Sequence, residues 1–254
     1  MRPIEKKSVG QIISYEDSSG VQVNHEIPEE YNQYGDAKLP LISNLGRYCS
    51  YCEGVRDVDA LDVEHIEARS LGGKCTAWDN LLLSCKICNS NKGNNITGAD
   101  FHWPHINNTF LSFVYDETGR VKVNPNLSEI SKAHAENLWK LVKLNRTGLT
   151  PVHVAEAADE KPSPKDFRWK RRYETWNTAV RYKELFLSDS IDSDDVINEA
   201  KNLGHWSIWF TVFRGIDSIL KRLISDFPGT CASCFDPNNH YEPVERNPGS
   251  EDPV

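Results

Sequence analysis

Between Cys49 and Lys92 the chain gathers residue types that hold metals and move protons. Cys49 and Cys52 sit in RYCSYCE, Cys85 and Cys88 sit in LSCKICNSNKG, and 32 residues separate the pairs. Each CxxC turn brings two sulfurs toward one point, and four thiolates in a tetrahedron are what structural zinc takes. These four cysteines are therefore expected to bind a structural Zn2+, and binding would contribute folding energy to the segment. The span between the pairs exceeds that of a plain zinc ribbon, which leaves room for two strands and a loop clamped at their base.

Inside the clamp runs LDVEHIEARSLGGKCTAWDNLLLSC. Glu64 offers the hard oxygen that Mg2+ or Mn2+ prefers, His65 is the one imidazole of the segment, and Asn89 follows the last cysteine. Together they could form a one-metal phosphodiester site. Hydrolysis of that bond needs a nucleophile made from water and a cation that stabilises the charge developing on phosphorus and on the leaving oxygen. An imidazole with an ordinary pKa near ~6.5 can take the water's proton at neutral pH. A His beside a Glu is more often an ordinary pair than a catalytic one. The alternative is a zinc-stapled module without catalysis that binds nucleic acid or a partner.

The positioning elements follow from pattern. Leu61 to Ile66 read as a strand, Gly72 and Gly73 as a loop, and Asn80 onward as an apolar segment delivering the second CxxC and then a short helix. Upstream, short alternating stretches at 11–15 and 21–24 precede an EIPEEY turn, and residues 1–44 form a candidate partner-binding segment. Downstream, FLSFVYDETGRVKVNP alternates on both sides of a Gly-containing turn, as a hairpin does, and Ser128 caps a helix expected to reach Asn145. The charged stretch EAADEKPSPKD marks a division at about residue 160, so the chain divides into 1–44, a nuclease-type module at 45–98, a hairpin-plus-helix extension at 99–160 and a helical region at 161–235. That region should hold two helices, Phe167 to Leu187 and Asp194 to Asp226, and residues 236–254, poor in apolar side chains, are expected to be flexible.

Composition sets bounds. With 39% hydrophobic residues and no long apolar run, the 254-residue chain reads as a globular α+β protein, cytoplasmic by default. A net charge of -8 is unusual for a protein that approaches phosphates, and the segment from Cys49 to Lys92 itself carries five Lys or Arg against seven Asp or Glu. Between Lys161 and Lys183 the balance reverses, with eight Lys or Arg and two acids among Trp169, Tyr173, Trp176 and Tyr182. Arg168, Lys170, Arg171 and Arg172 are candidate nucleic-acid contacts, although a solvated helix face backed by aromatic core residues has the same composition. His102 and His105 are expected to pack around Trp103 and Pro104. A third CxxC, Cys231 and Cys234, needs two more ligands to hold a metal, for which only His240 and Cys75 offer themselves.

The succession EHI, a central Asn and CKICNSNK resembles the HNH, or ββα-metal, nuclease family. The resemblance implies that Glu64 and Asn89 bind the catalytic Mg2+ or Mn2+ and that His65 is the general base. It also implies that Asn80 braces the loop and the His, and that Lys92 meets the phosphate or holds the helix. The family commonly has Pro three residues after the His, where this chain has Ala68. More widely, the MRPI start, YCSYCE and NLLLSCKICNSNKG look like the HNH component, often called PtuB, of Septu and retron-associated antiphage systems. That likeness implies a partner ABC/SMC-like ATPase (PtuA-like) in a hetero-oligomer, and a retron reverse transcriptase with its single-stranded DNA.

Overall fold

A computed structural model describes residues 1–146 and 163–254. The charged stretch chosen as a division falls largely outside them. Two antiparallel hairpins dominate the first half. β1 (Ile12–Glu16) and β2 (Gln22–Glu26) are joined by a turn in which Asp17 Oδ1 accepts from the Ser19 and Val21 amides at 2.8 and 3.1 Å. An Asp at that place offers its carboxylate to the amides of a tight turn, which is why the alternation on either side closes into a ladder. Helix α1 (Lys38–Leu45) packs against β1.

The second hairpin frames the chemistry. β3 (Leu61–His65) pairs with β4 (Leu81–Cys85) so that Leu61 faces Cys85 and His65 faces Leu81. All five residues of β4 are buried, so hydrophobic burial on both faces fixes its register. Helix α2 (Lys86–Lys92) starts directly from β4 and runs back along β3. Two strands and a helix thus form a ββα unit with its sulfur-bearing end at Cys85 and its polar end at His65.

After this unit come α3 (Thr109–Ser112), the short ladder of β5 (Phe113–Tyr115) and β6 (Val121–Val123), and α4 (Glu129–Leu141). Ser128 caps α4 as expected, its hydroxyl accepting from the Ser131 amide at 3.1 Å. The helical region contains α5 (Arg168–Leu187), α6 (Ser193–Leu203), α7 (Trp206–Val212) and α8 (Asp217–Asp226), followed by the two-residue strands β7 (Phe235–Asp236) and β8 (Glu242–Pro243). The architecture is α+β, and among the described residues no helix is long and apolar enough to cross a membrane.

Three expectations change. The helix foreseen from Asp194 to Asp226 is three helices, broken at Gly204 and again at Gly215, both at positive φ. At Gly204 a Cβ would lie 2.6 Å from the Glu53 carbonyl oxygen, so glycine lets this corner dock on the first CxxC turn, where Gly54 and Gly204 form an antiparallel bridge. The foreseen division gives no separate core: one apolar cluster runs from Ile4 through Leu81, Leu82 and Leu83 to Trp206, Trp209 and Phe210. Residues 236–254 are packed rather than loose. Val254 is 4% exposed, its carbonyl accepts from Asn107 at 3.0 Å, and Asp252 is bound by two histidines. Polar anchoring holds this tail where apolar content alone would not.

Candidate active site

The sulfur end closes first. Cys49, Cys52, Cys85 and Cys88 are all buried, and their sulfurs lie within 4.8 Å of one another. Cys52 Sγ and Cys85 Sγ are 3.8 Å apart. A tetrahedron with Zn–S bonds of ~2.3 Å requires about 3.8 Å between sulfurs, so this donor set could hold a zinc ion. A guanidinium supports it: Arg168 Nη1 donates to Cys88 Sγ at 3.2 Å, while the same side chain is ion-paired with Asp166 at 2.7 Å and donates to the Val142 and Lys143 carbonyls. A cation beside a four-thiolate centre offsets its negative charge.

That contact corrects the expectation for α5. Arg168 and Arg172 are each 1% exposed, and Arg172 donates to the Gly119 and Leu144 carbonyls. Neither reaches solvent, so neither can meet a phosphate; both bind α5 to the rest of the fold. Lys170, on the opposite face, and Arg171, on the flank, are exposed.

At the polar end a cavity of about 170 Å³ is lined by Tyr34, Glu64, His65, Arg69, Asn89 and Lys92, among others. His65 Nε2 lies 2.8 Å from the Cys75 carbonyl oxygen. A carbonyl can only accept, so Nε2 carries the proton and Nδ1 keeps its lone pair. Partial burial, reinforced by the Arg69 and Lys92 cations, holds the imidazole pKa below its ordinary value. The ring is therefore neutral at neutral pH and able to accept a proton.

Glu64 is 2% exposed, with Oε2 accepting from the Tyr51 hydroxyl at 2.6 Å. Burial raises its carboxyl pKa, against the opposing effects of Lys92 and Tyr51. Oε1 is ion-paired with Lys92 Nζ at 2.8 Å, so the carboxylate is held by one buried cation and one hydroxyl. A carboxylate oxygen is the hard donor that Mg2+ or Mn2+ prefers, and an ion taken up at Oε1 would share it with the Lys92 ammonium. Asn89 Nδ2 donates to Asp62 Oδ2 at 3.1 Å, which leaves its carbonyl oxygen as a ligand atom. Glu64 Oε1 and the Asn89 oxygen fit a hard divalent ion.

Asn80 stands behind the site. Its side chain accepts from the Glu67 amide at 2.8 Å and donates to the Glu67 and Lys74 carbonyls at 3.0 and 2.9 Å, tying together the loop that supplies the Cys75 carbonyl. Gly73 makes that closure possible, since a Cβ there would lie 2.1 Å from the Glu67 oxygen. Ala68 has φ -63, the value a proline ring would impose, so the loop keeps its course without the ring. Lys92, 1% exposed, donates to the His65 carbonyl at 2.6 Å besides pairing with Glu64. It holds the helix to the strand, and its burial removes it from the candidate phosphate contacts.

Four participants had no signal strong enough to single them out. Tyr51 lies between two zinc-type cysteines, and Asp62 shares a strand face with Glu64. Arg69 stacks over Tyr34 at 5.3 Å, and Tyr34 in turn lies 5.0 Å from the His65 ring. Period-2 alternation could have found Asp62; Tyr34 arrives from a distant segment and could not have been found locally. His102 and His105 do not share a site: His105 lies against Trp103, whereas His102 turns to His134 and Asp252. Cys231 and Cys234 are buried, and among the described residues no third metal-ligating side chain joins them.

No curated protein matches this chain. The four-cysteine clamp and the Glu64, His65 and Asn89 pocket, one at each end of a single ββα unit, fall within residues 49–95, and that segment matches the family model of the HNH endonucleases.

Proposed function

We propose that this protein is a metal-dependent HNH endonuclease that hydrolyses phosphodiester bonds in nucleic acid, with structural Zn2+ on the four cysteines and Mg2+ or Mn2+ at Glu64 and Asn89. The observation that carries the reading is the His65 tautomer set by the Cys75 carbonyl, which leaves Nδ1 basic at the pocket that Glu64 and Asn89 also line. A divalent ion bound there would supply charge stabilisation for the phosphorane-like transition state and the leaving oxygen. His65 Nδ1 takes the proton of the attacking water while Nε2–H stays on the Cys75 carbonyl, which keeps the ring in one orientation. Tyr51 and Lys92 hold Glu64, Asp62 holds Asn89, and Asn80 keeps the Cys75 carbonyl in place. Arg69, exposed at the rim, is the cation available to a scissile or neighbouring phosphate.

The test is cleavage of plasmid, single-stranded DNA and tRNA with Mg2+ or Mn2+, against a His65→Ala control. Cleavage by wild type and not by the variant is expected; equal cleavage by both would overturn the catalytic assignment of His65, and cleavage by neither would favour a noncatalytic zinc module. The net charge of -8 and the resemblance to PtuB support a further reading: an antiphage effector held and presented by a PtuA-like ABC/SMC ATPase, in retron systems beside a reverse transcriptase and its single-stranded DNA. Co-purification with that ATPase is expected, and full activity as a lone monomer would contradict it.

A further inference from the structure

Away from the clamp and the pocket, His102, His134 and Asp252 come together from three distant parts of the sequence, their ligand atoms within 4.8 Å of one another. His102 Nε2 lies 2.9 Å from both oxygens of Asp252, and His134 Nδ1 lies 2.6 Å from Oδ2. The two imidazole rings lie edge to face, 5.9 Å between centroids with their planes crossing at 88°. We propose that these three residues form a second metal site, for zinc or a similar borderline divalent ion, distinct from the cysteine clamp and from the Glu64 pocket.

Donor chemistry and support agree. Two imidazoles and one carboxylate are a donor set that zinc accepts, with a fourth position left for water or a hydroxyl. The His102 side chain is fully buried, and its Nδ1 lies 2.7 Å from the Ser112 hydroxyl. A hydroxyl can accept as well as donate, so Nδ1 can carry the proton and leave the Nε2 lone pair for the ion. His134 is 22% exposed and can place its proton on Nε2. Loading the site therefore shifts the N–H of each ring to the nitrogen that faces away from the ion. Ser131 Oγ donates to Asp252 Oδ1 at 2.7 Å, which orients the carboxylate and leaves Oδ2 for the ion. Zinc bonds of ~2.0–2.1 Å need donor separations of about 3.3 Å, so the present 2.6 and 2.9 Å contacts must open by about 0.7 and 0.4 Å. Without an ion, the same groups make a hydrogen-bonded latch.

The ion would staple the segment around Asp252 to α4 and to the loop carrying His102. Trp103, the next residue, packs 6.4 Å from Tyr51, the donor to Glu64. The test uses the full chain, loaded with zinc and dialysed into chelator-free buffer containing Mg2+. Wild type should retain one zinc equivalent more per chain than His134→Ala and than Asp252→Asn, and equal content in all three overturns the proposal. Zinc-edge X-ray absorption of the wild type decides independently of whether either variant folds. A sulfur shell accompanied by imidazole outer-shell scattering is expected, and a sulfur-only spectrum overturns the metal site, leaving the cluster as a hydrogen-bonded latch.

Discussion

The two ends of the β3–β4 hairpin make opposite use of the same backbone. At the Cys85 end, four soft sulfurs converge, every ligand is buried, and an arginine from α5 closes the last approach. At the His65 end, a carboxylate, an imidazole and a carboxamide surround an open polar cavity. The length of one strand separates a site with all its valences filled by protein from one that keeps positions free. The difference teaches that rigidity and reactivity are supplied from different ends: the clamp sets where α2 begins, and α2 then carries Asn89 and Lys92 back to the pocket. It follows that each end can be broken separately only if the break at the pocket leaves the clamp intact.

The largest effect should come from His65→Ala. Loss of a positioned general base costs roughly 10²–10⁴-fold in rate, while zinc content and thermal midpoint should stay at wild-type values because the ring is half-buried and makes one hydrogen bond. Matched rate and zinc measurements on one preparation check it. Loss of zinc in this variant would mean that the two ends are not separable.

Next comes Arg168→Met, which attacks the clamp from outside. It leaves Asp166, 3% exposed, without its ion-pair partner and removes the cation from Cys88. Stranding a buried charge costs about 3–5 kcal/mol, so the urea midpoint should fall and zinc should transfer faster to a chromophoric chelator. An unchanged midpoint would mean that the Asp166 pair and the Cys88 contact add nothing net to stability.

How far these ends could be read in advance depends on whether neighbours in space are neighbours in sequence. The cysteine pairs, Glu64, His65, Asn80 and Asn89 lie in one short stretch, and their types alone give the donor chemistry. Arg168 could not be read, because a basic helix face and a buried structural arginine share one composition until packing says which side is inward. The three-helix break at Gly204 and Gly215 was hidden by an uninterrupted apolar stripe, since period alone does not register a corner that needs positive φ. Residues 236–254 misled for the converse reason: they are anchored through Asp252, through Asn247 on the Ile106 carbonyl and through the Val254 carbonyl rather than through apolar burial.

Acid provides a smaller probe, and one contribution lies outside both ends. Burial, with Lys6 and Arg246 nearby, lowers the His105 pKa to about 3, against ~6.5 for an unfolded chain. Between those values the folded protein binds fewer protons than the unfolded one, so this contribution is fully present above ~6.5 and declines as pH falls through the window. The expected decline is about 1–2 kcal/mol by pH 5, and His105→Gln should flatten the stability profile over that range. If urea titrations of wild type and variant run parallel from pH 7 to 5, the acid sensitivity lies elsewhere, first at buried His205, whose pKa is lowered to about 4 by burial.

The smallest effect separates the rim of the pocket from the exposed face of α5. Removing one cation that neutralises a phosphate should reduce the slope of log affinity against log salt by roughly 0.7–0.9, depending on whether the nucleic acid is single- or double-stranded. Arg69 lines the pocket beside His65, so Arg69→Ala should weaken binding several-fold and lower the slope by about one such increment. Lys170 and Arg171 lie on α5, and Arg171 lines a separate cavity with Arg47 and Arg56. Their joint replacement by alanine should leave the slope unchanged if nucleic acid is held at the pocket alone. A reduction of two increments would extend the substrate path from the pocket across α5. The open end of the hairpin would then depend on the helical region for its substrate, just as the closed end depends on that region for Arg168.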